Sequence, residues 1–169
     1  RSPSRGLGDV YKRQQSNNNI DGLITGVGTG GTVTGCGEFL KKVNPNCKIY
    51  AVEPKKSAVI SGGKAGSHAI QGIGAGFIPK VLKRELIDEI IPIDDDEAFY
   101  YGRLLAKMEG LLSGISSGAA LAATIKVGQR KELINKRLIV ILPSFGERYL
   151  STAMFDTNSS IAARNDGFL

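Results

Sequence analysis

The chain has 169 residues, 41% of them hydrophobic and 22% charged, a balance ordinary for a folded globular domain and unlike that of a disordered segment. Its formal charge of +6 places +3 in residues 1–14 and only +3 in the other 155, with no Lys/Arg clusters interleaved with aromatic residues, so nucleic acid is not an expected partner. No apolar run approaches the roughly 20 residues a membrane helix needs, two cysteines without CxxC spacing make no disulfide scaffold, and the single His68 removes most zinc sites, so no metal is expected.

Residues 1–14, RSPSRGLGDVYKRQ, have no apolar period and no signal-peptide core, and read as a non-native leader ahead of a domain spanning 15–156. Leu23 to Val27 is a short apolar run suited to a buried strand, followed at once by Gly28-Thr29-Gly30-Gly31-Thr32. Val33, Cys36, Leu40 and Val43 then recur at helical spacing until Asn44-Pro45, which puts Cys36 in the core. Lys48 to Glu53 is a second strand, and 55–79 is a long glycine-bearing loop with room for short helical turns, of a length that is usually functional or mobile. Glu89 to Ile93 makes a third strand. Asp94 with Glu97 opens a helix whose buried stripe is Ala98, Tyr101, Leu105 and Met108 and whose stop is Gly110. Ser113 to Gly118 reads as a small-residue turn before an alanine-rich helix over about 119–127. Leu138 to Leu142 is the most apolar strand, a final helical turn falls near 149–155, and 157–169 is a polar tail. Strands alternating with helices predict an open, mostly parallel α/β sheet with flanking helices.

The Gly28–Thr32 stretch, set between a strand and a helix, offers unpaired backbone N–H groups and two threonine hydroxyls to an anion. It is neither GxGxxG nor a P-loop, which favours one phosphate over a di- or triphosphate; the plain alternative is a tight strand-to-helix turn. The serines near 113–117 are either N-caps or a second binding turn. Pro143 to Arg148 follows a strand, where parallel sheets place ligands. Gln71 to Phe77 has too few reactive side chains for chemistry and suits a cleft wall; His68 reads as a loop residue, and Cys47 has no evident activator.

GVGTGGTVTG (26–35), EPKKSAVISGGKAG (53–66), IQGIGAGF (70–77), GISSGAA (114–120) and PSFGERYLST (143–152), in this order, resemble cysteine synthase (O-acetylserine sulfhydrylase), closest to plant-type members. The resemblance covers about residues 21–155. It implies a tryptophan-synthase-β-like fold, incomplete here, that uses pyridoxal 5'-phosphate. The phosphate falls to Gly28, Thr29, Gly30, Gly31 and Thr32. Ser116 faces the pyridine nitrogen, Gly72 and Ala75 line the substrate cleft, and Pro143 lies close to the ring.

The implied reaction is β-replacement on O-acetyl-L-serine, with loss of acetate and addition of sulfide to give cysteine. The Schiff-base lysine belongs to the half of the family's chain that precedes this match. No catalytic residue is therefore assigned here, and the chain by itself is expected to be inactive. A homodimer is implied. Serine acetyltransferase is a further implied partner, docking through a loop where members often read PHK and this chain reads Ser67-His68-Ala69, a departure that counts against it. β-Cyanoalanine synthase, cystathionine β-synthase and a non-catalytic phosphate-binding module are the alternatives. A cytoplasmic location is expected, with plastid or mitochondrion open.

Overall fold

The computed structural model describes residues 19–156; the leader at 1–14 and the tail from 157 onward lie outside the described residues. Gly22–Gly26 forms β1 and Lys48–Pro54 forms β2. Leu23, Ile24, Ile49, Ala51 and Val52 are at most 2% exposed, as the central strands of a parallel sheet must be when both faces are covered. The helix α1 (Gly31–Val43) connects them and stops at Asn44.

β3 (Glu89–Ile93) and β4 (Leu138–Val140) complete a four-stranded sheet, parallel at every pairing, in the order β3-β2-β1-β4. β3 tolerates Pro92, which has no N–H to give, because it is an edge strand. Val33 of α1 joins Leu23, Val27, Ile49 and Ala51 on one face. On the other face Ile24, Tyr50 and Val52 meet α2 (Asp95–Glu109) and α3 (Ile115–Gly128) through Ala98, Phe99, Ala119 and Ala123. α2 starts where Asp94 and Glu97 predict: the Asp94 N–H donates to the Glu97 carboxylate at 3.1 Å, and Gly110 ends the helix with φ +67°.

Four expectations need correction. The segment Ile115-Ser116-Ser117-Gly118 is the first turn of α3 itself. A Cβ on Gly118 would run into the Ala98 carbonyl and lie 2.7 Å from the Gly102 nitrogen, so this glycine permits a close helix crossing instead of a turn. β4 covers three residues, and its pairing with β1 closes with the bond that the Ile141 N–H donates to the Ile24 carbonyl at 3.0 Å. On α2 the buried stripe is Ala98, Phe99, Gly102 and Leu105, whereas Met108 is 62% exposed near the helix end, where no sheet lies beneath it. Finally, Cys47 is the fully buried cysteine and Cys36 is half-buried.

The strand order fixes where a ligand belongs. β2 and β3 lie on one side of β1 and β4 on the other. Open parallel sheets hold ligands outside the carboxyl ends of their strands, which here is where the turn after β1 and the segment after β4 lie.

Candidate phosphate and cofactor site

The turn after β1 is held from below: the Val27 N–H donates to the Val52 carbonyl at 3.0 Å, and the Val27 carbonyl accepts the Gly74 N–H at 3.1 Å. Gly30 then adopts φ +82° as the N-cap of α1. Among the described residues no side chain caps this helix, and its first turn holds no acidic residue. The leading N–H groups of a helix have no acceptor within it, and they carry the positive end of its dipole. The Thr29 hydroxyl accepts only a long bond, 3.5 Å, from the Gly31 N–H, and Thr29, Gly31 and Thr32 are all exposed. A Cβ at Gly28 would stand 2.5 Å from the Gly72 carbonyl oxygen, and one at Gly30 would be 2.8 Å from Leu82 Cβ. Glycine is thus required at both positions by contact as well as by φ at Gly30.

The opposing wall is the loop after β2. Glu53, 1% exposed at the end of that strand, accepts the Ile60 N–H at 2.9 Å, the Ser61 N–H at 3.1 Å and a short bond from the Ser61 hydroxyl. Asp95 accepts the Ala69 N–H at 3.0 Å and Lys56 Nζ at 2.7 Å. His68 Nε2 lies 3.0 Å from the Gly74 carbonyl, which fixes that ring nitrogen as the donor. His68 is therefore a strut inside the loop. Together these bonds bring Gly72, Gly74 and Gly76, with φ between +68° and +91°, up to the β1 turn. A narrow cavity of about 10 Å³ separates Gly28 from Gly74, Ala75 and Phe77.

The third wall is the start of α3 with the segment after β4. Ser116 is 3% exposed, its hydroxyl 3.2 Å from that of Ser144, and a Cβ on Gly72 would stand 3.8 Å from Ser116 Oγ. Gly28, Gly72, Ser116 and Ser144 thus follow one another across the crevice. The larger cavity, about 420 Å³ among Asp21, Lys48, Tyr50, Asp88, Glu89 and Arg130, opens at the amino ends of the strands. Its charges neutralise one another, as in the two-pronged pair of Arg130 with Glu89 at 2.6 and 2.7 Å, so it offers no convergent charge to a ligand.

Reading the residues missed three groups. Glu53 and Asp95 hold the cleft loop and Ser144 meets Ser116. The available signal for Glu53 was an acid closing an otherwise apolar strand, YAVEP. No local pattern distinguishes Asp95 from its neighbours Asp94 and Asp96.

An open parallel α/β sheet with an uncapped, glycine-lined helix start beside a hydroxyl-bearing one offers donors suited to a small phosphorylated ligand at the carboxyl end of its strands. The chain belongs to the family of pyridoxal-phosphate dependent enzymes, whose sequence pattern matches residues 9–144.

It is 50% identical over 149 residues to a cysteine synthase of Staphylococcus aureus, a match taking in 88% of this chain and 47% of that protein. Among solved structures, O-acetyl serine sulfhydrylase isoform 3 from Entamoeba histolytica superposes with a TM-score of 0.86 at 44% identity, over 89% of this chain and 45% of that one. An O-acetylserine dependent cystathionine beta-synthase from Helicobacter pylori superposes with a TM-score of 0.79 at 39% identity, over 85% and 46%. The chain spans about half the length of the curated relatives it matches.

The family's cofactor suits this geometry. A phosphate monoester needs several donors and no competing acid, as the uncapped start of α1 provides. A pyridine nitrogen needs one donor, and the start of α3 presents the Ser116 hydroxyl with no acidic residue in its first turn. A neighbouring carboxylate would favour a protonated ring; a serine and a helix N-terminus favour a neutral one.

Proposed function

We propose that this chain is part of an enzyme of cysteine biosynthesis that replaces the acetate of O-acetyl-L-serine with sulfide, using pyridoxal 5'-phosphate. The observation that carries the reading is the convergence of the uncapped Gly28–Thr32 turn with Ser116 across a single crevice lined by Gly72. When bound, the cofactor supplies an electron-withdrawing ring that weakens bonds around the α-carbon of an amino acid.

The chain's own residues bind, orient and cover. Backbone N–H groups from Gly28 to Thr32 receive the phosphate, with Thr29 and Thr32 adding hydroxyls. Ser116 donates to the ring nitrogen. Gly72 and Ala75 form a cleft wall without a bulky side chain, leaving room for the amino-acid substrate, and Glu53 and Asp95 keep that wall in place. No group in this set takes or returns the substrate proton, so turnover belongs to the whole protein. The same reading makes that protein a homodimer.

Likeness to the Helicobacter pylori protein supports a second acceptor, homocysteine, on the same scaffold. The test is an assay of the whole protein with O-acetyl-L-serine against sulfide, cyanide and homocysteine. The reading expects cysteine formation to exceed the other two products at least tenfold. Faster turnover with cyanide or homocysteine assigns the alternative reaction. A phosphate-binding protein that turns over none of the three contradicts the enzymatic reading.

A further inference from the structure

We infer that Ser144 is a positioning residue: its hydroxyl donates to Ser116 Oγ, so that the one hydrogen of Ser116 is directed outward to an unprotonated ring nitrogen. The inference rests on the proposed cofactor reading and adds to it a residue that sets the direction of the hydrogen bond.

The argument begins with Ser117, which is fully buried and wholly engaged. Its hydroxyl donates to the Ser144 carbonyl at 3.2 Å and accepts the Ser144 N–H at 3.3 Å. The same carbonyl also accepts the Gly114 N–H at 2.9 Å. Ser144 is thereby fixed at both its backbone groups, and its side chain is held against the start of α3. A Cβ on Gly114 would collide with Ser144 Oγ, so the absence of a side chain at the helix N-cap is what lets Ser144 approach.

Among the described residues, Ser116 Oγ pairs with Ser144 Oγ, at 3.2 Å. A serine hydroxyl has one hydrogen and two lone pairs. If Ser116 were the donor of this pair, it would have no hydrogen left for a ligand. With Ser144 as donor, the Ser116 oxygen is engaged and its hydrogen points elsewhere, into the side that Gly72 leaves open. The potential at the start of α3 acts in the same sense, since a helix N-terminus opposes a protonated ring.

Ser116→Ala would test the contact itself, whereas Ser144→Ala tests its positioning. In the 169-residue chain, three-bond couplings read the Ser116 side-chain rotamer without any ligand. A single rotamer is expected in the parent and in Ser144→Thr, and averaged couplings in Ser144→Ala, with melting temperatures alike. Titration with pyridoxal 5'-phosphate, followed by its fluorescence, should show a dissociation constant raised about fivefold in Ser144→Ala, as loss of one hydrogen bond implies. Inorganic phosphate should bind all three equally.

A fixed Ser116 rotamer in Ser144→Ala, or no recovery in Ser144→Thr, overturns the inference. Failure of every form to bind pyridoxal 5'-phosphate would instead strike the cofactor reading, while the couplings would still decide the role of Ser144.

Discussion

Gly28 rests against the carbonyl of Gly72: a methyl group built on the first would stand 2.5 Å from the oxygen of the second. The turn after β1 and the opposing loop are therefore packed backbone to backbone, with no room for a side chain between them. Gly28→Ala should push the two apart and weaken binding of inorganic phosphate at least tenfold, because the donors of the turn would no longer converge. Gly62→Ala is the control at a site of open space, where φ +89° brings strain but no collision. Equal phosphate affinity in Gly28→Ala and the parent, read by calorimetry, would disconnect this turn from anion binding.

Glu53→Gln removes one of the acceptors that the Ile60 N–H, the Ser61 N–H and the Ser61 hydroxyl now share. An amide in the same place turns an NH₂ toward a donor, and a buried mismatch of this kind costs about 1–3 kcal/mol. Hydrogen exchange at Ile60 and Ser61 should accelerate by one to two orders of magnitude while the β1 amides keep their protection. Uniform acceleration along the whole chain would mean that Glu53 stabilises the fold globally instead of holding this loop.

Asp88 gathers three donors from two elements, accepting from Lys41 Nζ of α1 at 2.7 Å and, on β2, from Lys48 Nζ at 3.1 Å and the Ile49 N–H at 2.9 Å. Burial alone would raise its carboxyl, but these donors outweigh it and hold the group below the usual value of 3.8. Its stabilising contribution is thus complete above that value and disappears as pH falls through the lower folded one. Asp88→Asn should cost about 1–3 kcal/mol at neutral pH, and the gap should narrow as pH falls below the usual carboxylate value. Urea unfolding at several pH values measures this; a gap that widens in acid would reverse the assignment.

Much of the sheet was readable from sequence because β1 and β2 are covered on both faces, and continuous apolar runs such as KIYAV have no other stable setting. The capping residues Asp94, Glu97 and Gly110 act within a single turn of chain and were legible for that reason. The extent of β4 was not, since Ile141 and Leu142 are as apolar as Ile139 and only the length of pairing with β1 separates them. Gly118 looked like a turn residue because its reason for being glycine is the Ala98 carbonyl on another helix. The glycine-rich turn after β1 was visible as composition, whereas the pairing of Ser144 with Ser116 emerged only when β4 and α3 were brought side by side.

Cys47 is fully enclosed, and burial pushes its thiol up to about 11. It should resist alkylation at neutral pH until the domain opens, since the thiolate is the reactive form. Mass spectrometry after brief iodoacetamide treatment should find it unmodified in the native chain and modified in urea. Labelling in the native state at a rate close to that in urea would contradict the packing around β2.

The most direct test of the central claim is an amide-resolved NMR titration of the chain with pyridoxal 5'-phosphate. The account predicts saturable shifts concentrated at Gly28 to Thr32, with smaller ones at Ser116 and Gly72. Shifts confined to the charged cavity around Arg130 and Glu89, with the Gly28–Thr32 amides unmoved, would contradict it.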